Sequence, residues 1–424
     1  MNIKIQLKRL LGERTTHYLK CILQYCKFFR GVLSGNYGKI ECAFEHDIYS
    51  VPGKHVFFGY YDIQQASKSL DKLLLHVLDK DAVAGETPVE IFCVDRISGE
   101  FDKITESAAW SWQQGARLRW SNITPNAIYF NNYHESQYCC EMWDVDTKRM
   151  IKRFQFPFYD IAPNEEFGLS LNFSRLQRLR PGYGYSNEPD KTTDQNYPGT
   201  EGITYVNLNT SESRVLLTLE ELSEKVCADA YYQGYINHIS ISPESDKFMF
   251  LFLWTEKSYL PWKNCLCIYD LKENALVILE REIIASHYCW ISNSELIITS
   301  IEGEYYIFDV DNRTKRKLTN KNMVCDGHPS YYSDKEIITD TYPQKDGCQR
   351  IRIEGIEDDS KKELVKVFSD PRMFGDKRCD THPRYERKNG LLTFDAMPRN
   401  KERIVISGKL EVITDGSQTK RSNR

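Results

Sequence analysis

The chain has 424 residues, of which 41% are hydrophobic and 12% aromatic, and this supply is sufficient for a large apolar core. Lys and Arg number 56 against 60 Asp and Glu, so the net charge of −4 indicates neither a basic nucleic-acid-binding surface nor an acidic arm. The 13 cysteines are odd in number, and several lie in apolar runs, as Cys93, Cys267 and Cys289 do. This distribution favours buried thiols in a reduced, cytoplasmic protein over a disulfide framework.

Residues 1–45 form a basic, amphipathic extension in which Lys or Arg interrupts every apolar run. This pattern lacks the features of a signal peptide and is too polar for a membrane span. Apolar residues recur at helical spacing beside a basic face, from Leu10 to Phe29. Two alternatives stay open: a helix or frayed arm beside the main domain, or a peripheral helix that binds anionic lipid at the inner membrane surface.

A repeat organises the chain after residue 46. A polar turn followed by an apolar strand occurs seven times, beginning at Ser67, Thr124, Ala162, Ser242, Ser292, Ser333 and Arg387. A second strand that ends in Asp, Asn or Gly before a polar turn occurs six times: IFCVDRISGE, EMWDVDTKRM, ITYVNLNTSE, CIYDLKENAL, YYIFDVDNRT and RIRIEGIEDD. Regularly spaced antiparallel hairpins over the whole chain predict an all-β fold, a seven-bladed β-propeller over residues 46–410. A sandwich or barrel is the alternative, and residues 411–424 are predicted to be a disordered polar tail.

One interval of the repeat is long and contains residues 179–202, which are rich in Gly, Pro and polar residues. This composition predicts a loop over the substrate face of the propeller. Arg175 and Arg178 precede this loop, and Arg180, Tyr183 and Tyr185 lie in it. Planar guanidinium groups suit carboxylates and aromatic rings suit sugars, so an acidic glycan is the predicted ligand, although a solvated charge run would look the same.

A near-duplicate motif, C-D-x-H-P, places Cys325 three residues before His328 and Cys379 three residues before His382. Cysteine sulfur and histidine nitrogen are both ligands of Zn²⁺. The predicted metal ligands are His238, Cys325 and His328, with His382 as a further candidate. The alternative is that each histidine caps a turn of its blade.

Several motifs occur together in order: FFGYYD (57–62), WQQGARLRW (112–120), SLNFSRLQRLRPGYGY (170–185), NHISISP (237–243) and CDGHPSYY (325–332). In this combination the chain resembles the propeller polysaccharide lyases of the ulvan-lyase type and their uncharacterised relatives found with capsule and surface-glycan genes. It is similar, more distantly, to oligogalacturonate lyases. The resemblance covers residues 50–400.

The resemblance implies a carbon–oxygen lyase that removes the C5 proton of a uronic acid and expels the oxygen at C4. It assigns Tyr159 as general acid/base, Arg175 as the residue that holds the carboxylate, and His134 as a further catalytic residue. Gln114, Arg180, Tyr183, Tyr185 and Tyr61 are the predicted substrate-binding residues. It also implies a structural Zn²⁺ or Mn²⁺.

Two positions depart from the family pattern. Gln114 stands where the family has a second catalytic histidine, and glutamine cannot transfer a proton. Phe252 stands at a metal-ligand position. An alternative is therefore a non-catalytic propeller that binds a glycan or scaffolds polysaccharide synthesis, and a hydrolase or glycosyltransferase accessory is a third. The sequence has no phosphate-binding Gly-rich loop between a strand and a helix, which disfavours a nucleotide-sugar transferase.

Overall fold

The protein is described by a computed structural model over residues 3–228, 230–255 and 263–410. In these residues the strands form seven antiparallel sheets, the blades of a seven-bladed β-propeller, which confirms the predicted fold. The chain begins with helix α1 (Ile3–Leu33). No helix of the described ranges combines the length and apolarity needed to cross a membrane. The predicted polar tail, 411–424, lies outside the described residues.

Two short strands follow α1 and pair with distant blades: β1 (Ile40–Cys42) and β2 (His46–Tyr49). The blades then follow in chain order. Blades 1 and 2 contain β3 (Lys54–Phe57), β4 (Lys72–Asp79), β5 (Val89–Asp95), β6 (Phe101–Ser107), β7 (Arg119–Trp120), β8 (Ala127–His134), β9 (Gln137–Asp144) and β10 (Arg149–Phe154). Blades 3 and 4 contain β11 (Asp160–Ile161), β12 (Phe167–Ser170), β13 (Gly202–Asn207), β14 (Ser213–Thr218), β15 (Gln233–Ile241), β16 (Lys247–Thr255), β17 (Lys263–Asp270) and β18 (Ala275–Glu280).

The remaining blades complete the circle. Blade 5 contains β19 (Ala285–Trp290), β20 (Glu295–Ser300), β21 (Tyr305–Asp309) and β22 (Thr314–Lys317). Blades 6 and 7 contain β23 (Ser330–Ser333), β24 (Glu336–Asp340), β25 (Cys348–Gly355), β26 (Lys361–Phe368), β27 (Arg384–Glu386), β28 (Leu391–Arg399) and β29 (Glu402–Lys409). Blade 7 has only three strands from its own segment. Strand β2 pairs with β29 as its fourth, so the N-terminal segment closes the ring, and β1 adds a fifth strand to blade 6.

The first strands of six blades line the central channel, and in blade 1 residues 61–66, which follow β3, do so. Residues of β7, β11, β15, β19, β23 and β27 all contribute to the wall of one axial cavity. The second strands are enclosed on both faces, and every residue of β16 is buried. The fourth strands lie at the rim, where all four residues of β22 are exposed. Blades pack face to face around the axis, so apolar burial is greatest between rim and channel, and polar residues concentrate at both edges.

The repeats found in the sequence correspond to fixed positions in each blade. All seven turn-plus-strand segments are second strands with the turn before them, and the six others are third strands. Polar side chains close both kinds of turn. Ser242 Oγ donates to Asp246 Oδ1 at 3.1 Å before β16, and Asp270 Oδ1 accepts from the amides of Lys272 and Glu273 at 2.8 and 2.9 Å after β17. In these turns the side-chain oxygens of Asp and Ser form hydrogen bonds at the ends of the hairpins, where the backbone groups have no partner on a neighbouring strand.

Two short helices interrupt the β structure: α2 (Phe173–Leu179) and α3 (Leu219–Val226). Asn172 caps α2 by accepting a hydrogen bond from the Arg175 amide at 2.9 Å, and Thr218 and Glu221 form a capping box on α3. The predicted long loop begins immediately after α2. We call residues 180–200 the strap, because they run from blade 3 across one mouth of the channel.

Candidate active site

Four histidines from four consecutive blades meet at the centre of the propeller. His238 belongs to β15 and His287 to β19, while His328 and His382 precede β23 and β27. Each side chain is at most 2% exposed. The ring centroids are 6.2 Å apart for His238 and His287, 4.0 Å for His287 and His328, and 4.5 Å for His328 and His382. We call these residues the histidine cluster.

Three rings of the histidine cluster are oriented through Nδ1. His328 Nδ1 lies 2.9 and 3.0 Å from the two carboxylate oxygens of Asp340, and His287 Nδ1 lies 2.9 Å from Asp326 Oδ1. His382 Nδ1 donates to the Gly59 carbonyl at 2.8 Å. In the described structure the buried Nε2 atoms of His328 and His382 have no hydrogen-bond partner. This is the arrangement of metal-binding imidazoles, whose outer nitrogen is held by a carboxylate or carbonyl.

A carboxylate completes a possible metal centre. The ligand atoms of His328, His382 and Asp380 all lie within 4.8 Å of one another, and all three residues are buried. Asp380 Oδ2 also accepts from Arg378 Nε at 2.8 Å, which fixes the orientation of the carboxylate. Two imidazole nitrogens and a carboxylate oxygen form a donor set for a divalent transition metal.

Burial and neighbouring charges set the protonation of these rings. Burial lowers the pKa of His238 and of His382 well below the ordinary histidine value, and nearby cations add to the effect. Burial also lowers the pKa of His287, although Asp326 partly offsets it. For His328 burial acts in the same direction, but the Asp340 carboxylate outweighs it and the pKa is raised. Near neutral pH, His238, His287 and His382 are therefore uncharged and can act as ligands or proton acceptors.

The backbone is strained at three residues that point into the channel. Arg117, His238 and His382 have φ values of 54°, 60° and 43°, in the left-handed region that side chains with a Cβ disfavour. His238 lies in a β-bulge, since the register of β15 against β16 shifts between Asn237 and Ser240. Strain of this kind persists where the surrounding fold enforces it and commonly marks functional sites.

Tyr159 lies beside His238 in a closed hydrogen-bond network. Its hydroxyl accepts from Gln114 Nε2 at 2.7 Å and from the His238 amide at 3.0 Å, and donates to Asn237 Oδ1 at 3.0 Å. The Arg117 guanidinium lies 4.4 Å from the centre of the tyrosine ring. Burial raises the pKa of Tyr159 despite this cation, so the hydroxyl is protonated at neutral pH. The predicted pair of Tyr159 and Gln114 thus makes direct contact.

The strap covers the histidine cluster from one mouth of the channel. The Tyr183 ring packs edge-on against His238 at 5.8 Å, and the Arg180 guanidinium carbon lies 4.7 Å from the Tyr183 ring centre. Arg378 Nη2 donates to the Tyr183 hydroxyl at 3.2 Å. Tyr185 lies further out, where it stacks on Phe173 at 4.4 Å and receives a hydrogen bond from Asn131. Of the predicted substrate-binding residues on the strap, Tyr183 and Arg180 lie near the cluster and Tyr185 packs in the core.

Arg175 anchors the strap. Its Nε donates to the Gly234 carbonyl at 2.7 Å, and its Nη atoms donate to backbone carbonyls and a hydroxyl of Thr192, Gln195 and Asn196. All five N–H donors are used in this way, and the side chain is 1% exposed. The predicted contact with a substrate carboxylate would require these hydrogen bonds to open. In the present conformation Arg175 determines the path of the chain.

His134 lies away from the axis, at the hairpin between β8 and β9. Its side chain is 40% exposed, and its Nε2 is 2.9 Å from Glu141 Oε1. His134, Cys139 and Glu141 form a second group of possible metal ligands, which we call the rim cluster. Arg153 Nε and Nη2 both bond to the same Glu141 oxygen, at 3.0 and 2.9 Å. Among the contacts of the described residues, none joins His134 to Tyr159 or to the histidine cluster.

The predicted cysteine ligand also lies apart. Ligand groups within 4.8 Å in the described residues include His328 and His382 but neither Cys325 nor His238. Burial raises the pKa of the Cys325 thiol to about 11, so the thiol of the metal-free protein is protonated at neutral pH. The sequence prediction missed His287 and Asp380. Asp380 is the second residue of the C-D-x-H-P motif, so the aspartate of that motif is a candidate ligand that the sequence already contained.

The opposite mouth of the channel is open, with a cavity of about 530 Å³. Tyr61 and Tyr288 form its floor: the Tyr61 hydroxyl donates to the Tyr288 carbonyl at 2.9 Å, and the Tyr288 hydroxyl donates to Asp62 at 2.8 Å. Tyr61 contacts His328 on its other side, with 5.1 Å between ring centroids. The wall includes four aromatic side chains from four blades: Trp120, Trp290, Tyr331 and Tyr385. A single layer of tyrosines therefore separates the cavity from the histidine cluster.

Solved structures share this architecture. An oligogalacturonate lyase in complex with manganese superposes with a TM-score of 0.60 at 13% identity, covering 88% of this chain and 98% of its own. An oligogalacturonate lyase from Vibrio parahaemolyticus gives 0.56 at 12% identity, with 88% and 99% covered. The tricorn protease gives 0.50 at 10% identity, covering 85% of this chain and 36% of its own. No protein-family model and no functionally characterised sequence matches the chain. At these identities, the likeness to the solved structures shows a common propeller fold.

Proposed function

We propose that this protein is a lyase that cleaves a uronic-acid-containing oligosaccharide or polysaccharide by β-elimination. The histidine cluster carries the proposal. Two buried imidazoles present unpartnered Nε2 atoms beside a carboxylate, on the axis of a propeller whose fold is shared with a lyase solved with manganese. Imidazole nitrogens that are desolvated and unsatisfied are costly unless they serve a ligand.

The reaction itself defines what the site must supply. A base takes the proton from C5 of the uronic acid, the electron pair forms the C4–C5 double bond, and the C4–O bond breaks. The departing oxygen receives a proton, and the new chain end is an unsaturated uronate. The barrier is the low acidity of the C5–H bond, so negative charge that develops towards the carboxylate has to be stabilised.

His328, His382 and Asp380 are the residues that would hold a divalent cation, and His287 stands beside them. Their donor set of imidazole and carboxylate suits Mn²⁺ or Zn²⁺, and it does not depend on Cys325. A cation bound there would neutralise the uronate carboxylate and so increase the acidity of C5–H. Asp340 and Asp326 would orient the imidazoles, as the hydrogen bonds at Nδ1 indicate.

His238 is the residue best suited to act as the base. It is neutral at neutral pH and lies in a strained bulge against Tyr60, with a ring separation of 5.3 Å. Tyr159 remains protonated and would donate a proton to the leaving oxygen. This assignment keeps the predicted acid role of Tyr159 and transfers the base from the tyrosine to the adjacent histidine. Gln114 then serves to hold the Tyr159 hydroxyl.

In this conformation a substrate would reach His238 more easily from the open cavity than from the mouth that the strap covers. The strap is pinned by Arg175 and Asn187, whereas only the rings of Tyr61 and Tyr288 separate the cavity from the cluster. Trp120 and Trp290 in its wall offer faces on which sugar rings can stack. Trp290→Ala should therefore raise KM for an oligosaccharide by several-fold and change kcat little.

The test is an assay for unsaturated uronates by ultraviolet absorbance, run on a panel of acidic polysaccharides and their oligosaccharides. The protein is first stripped with EDTA and then supplied with Mn²⁺ or Zn²⁺. We expect product only with metal, and losses of roughly 10²-fold or more for His238→Ala and for His328→Ala. His46→Ala, which changes an exposed histidine of β2 at the far rim, is the matched control and should retain full activity.

Two results would count against the proposal. Product that forms at equal rates after EDTA treatment and in His328→Ala would remove the metal centre from the reaction. If no substrate of the panel is cleaved but acidic oligosaccharides bind with His238-dependent affinity, the protein is a glycan-binding propeller, as the sequence alternative holds.

A further inference from the structure

The last turns of helix α1 pack against blade 6. The Phe28 ring packs edge-on against Tyr37 at 5.3 Å, and the Arg372 guanidinium carbon lies 3.7 Å from the centre of the Phe28 ring. A Cβ on Gly31 would lie 2.4 Å from Cε2 of Phe368, so the helix backbone rests directly on that ring. At 1.5 Å per residue the helix is about 45 Å long, and it extends well beyond this attachment.

The face of α1 that points away from the blade is apolar and exposed. Between residues 18 and 33 it presents eight large hydrophobic side chains to solvent: Tyr18, Leu19, Ile22, Leu23, Tyr25, Phe29, Val32 and Leu33. The described chain has eighteen such residues, so nearly half lie in this short segment. At about 100° per residue they cover an arc of about 180°, with Phe28 and Gly31 on the other side. A patch this concentrated marks an interaction surface.

The charge of the helix identifies the kind of surface that fits it. Residues 3–33 contain seven Lys or Arg and one Glu, a net charge of +6, while the whole chain is −4, so the rest of the protein carries −10. Lys20, Lys27 and Arg30 are exposed and lie together along one edge of the apolar face. Pairing two such helices would bring +6 against +6, whereas an anionic surface would be attracted to each of them.

We propose that α1 binds the surface of a membrane that contains anionic lipids. The apolar arc enters the boundary between headgroups and acyl chains, and Lys20, Lys27 and Arg30 lie at the level of the phosphates. The propeller, attached through Phe28 and Gly31, is then held on the aqueous side with its channel free. This inference rests on α1 alone and does not depend on the proposed lyase activity.

The test is co-sedimentation of the full chain with phosphatidylcholine vesicles that contain no phosphatidylglycerol or about one third of it. We expect binding to the anionic vesicles that weakens as salt is raised. Ile22→Ser/Leu23→Ser/Phe29→Ser should reduce the partition coefficient at least about tenfold, because three inserted side chains are lost. Lys20→Gln/Lys27→Gln/Arg30→Gln should weaken binding to anionic vesicles only.

A matched control is Ile97→Ser/Ile123→Ser/Val324→Ser, which removes three exposed apolar residues from the propeller and should leave binding unchanged. Circular dichroism would verify that each variant is folded. Equal binding by wild type and the Ile22/Leu23/Phe29 variant, or no binding of the wild type to either vesicle, would overturn the proposal. Light scattering that shows a dimer dissolved by the same triple variant, with no dependence on lipid, would assign the face to a second copy of the chain.

Discussion

The histidine cluster and the rim cluster contain the same kinds of side chain, yet their surroundings differ. At the axis, Asp340 and the Gly59 carbonyl bind the Nδ1 atoms of His328 and His382, and the Nε2 atoms are buried and unpartnered in the described structure. At the rim, the Glu141 oxygen that faces His134 Nε2 already receives two hydrogen bonds from Arg153. A metal at the rim cluster would therefore have to compete with the Arg153 guanidinium for this Glu141 oxygen.

Both groups offer possible metal ligands, so we expect their surroundings to decide which of them binds a metal. At the axis the outer nitrogens of His328 and His382 are held and the inner ones have no hydrogen-bond partner in the described residues, whereas at the rim the Arg153 guanidinium already bonds the Glu141 oxygen. The whole side chains differ in burial, because the axial imidazoles are at most 2% exposed and the His134 side chain is 40% exposed, although the Nε2 atom of His134 is itself buried. Two tests of metal affinity address this contrast directly, and two tests of stability address the surroundings of the histidine cluster; each pair runs from the larger expected effect to the smaller.

Removal of a ligand should separate the clusters most clearly. His328→Ala takes away one of the two imidazoles in the candidate metal centre of His328, His382 and Asp380, and we expect the affinity for Mn²⁺ to fall by more than about 10²-fold. His134→Ala should leave metal affinity unchanged, because the rim cluster is closed by Arg153. Isothermal titration of the EDTA-stripped variants measures both. A larger loss in His134→Ala would reverse the comparison.

Removal of the residue behind the ligand should have a smaller effect. In Asp340→Asn an amide replaces the carboxylate that orients His328, so affinity for Mn²⁺ should fall by about 10- to 100-fold. Asp346→Asn is the control, since that carboxylate pairs with Arg350 at the edge of blade 6. If Asp340→Asn binds metal as the wild type does, the hydrogen bond at Nδ1 is irrelevant to the site.

Acid should destabilise the metal-free protein through its buried neutral histidines. Burial lowers the pKa of His76 to about 4, whereas a histidine in the unfolded chain has a pKa of about 6.5. Between these two pH values the unfolded state therefore binds more protons than the folded state. Stability is full above pH 6.5 and falls as the pH drops towards 4, by about 3 kcal/mol for this residue. His238, His287 and His382 act in the same direction.

His328 acts in the opposite direction. Because its pKa is raised, its contribution is present below the ordinary value and is lost as the pH rises through the raised value. Urea unfolding at several pH values from about 7.5 to 5 measures the free energy of unfolding, to which all these histidines contribute. This free energy should decrease on acidification. A stability that increases towards pH 5 would mean that the cluster histidines are charged in the folded state.

Loss of the Tyr159 hydroxyl should cost less. Tyr159→Phe leaves the His238 amide and Asn237 Oδ1 without their partner, and we expect about 1–3 kcal/mol of destabilisation in urea unfolding. Tyr18→Phe, on the exposed face of α1, should change stability by less than about 0.5 kcal/mol. An unchanged stability in Tyr159→Phe would show that the network is not formed in solution.

The sequence predicted the propeller because its second and third strands are regular. These strands are apolar and end in polar turns, as SPESDKFMFLF and CIYDLKENAL do, and burial on both faces enforces that pattern. Several first strands are very short, as Arg119–Trp120 and Asp160–Ile161 are, so they carry no such periodicity. Helix α2 was not predicted, because it has only seven residues and its apolar residues alternate with Arg175 and Arg178.

Parts of the site were predictable from short motifs in the sequence. Tyr159, Gln114, His238, His328 and His382 lie in motifs next to the first strands, and the structure brings them to the axis. His287 lies in ASHYCW without a spacing signal, so only the closure of the ring places it beside His328. Arg175 resembled a substrate-binding residue, but its partners are carbonyl oxygens of the strap, and no sequence pattern encodes those contacts.

The most direct test of the central claim is electron paramagnetic resonance of Mn²⁺ titrated into the EDTA-stripped protein. The account predicts that the signal of free Mn²⁺ is suppressed up to one equivalent, that His328→Ala and His382→Ala abolish this suppression, and that His134→Ala retains it. A free-ion signal that rises from the first addition in the wild type, or suppression that survives in both His328→Ala and His382→Ala, would contradict it.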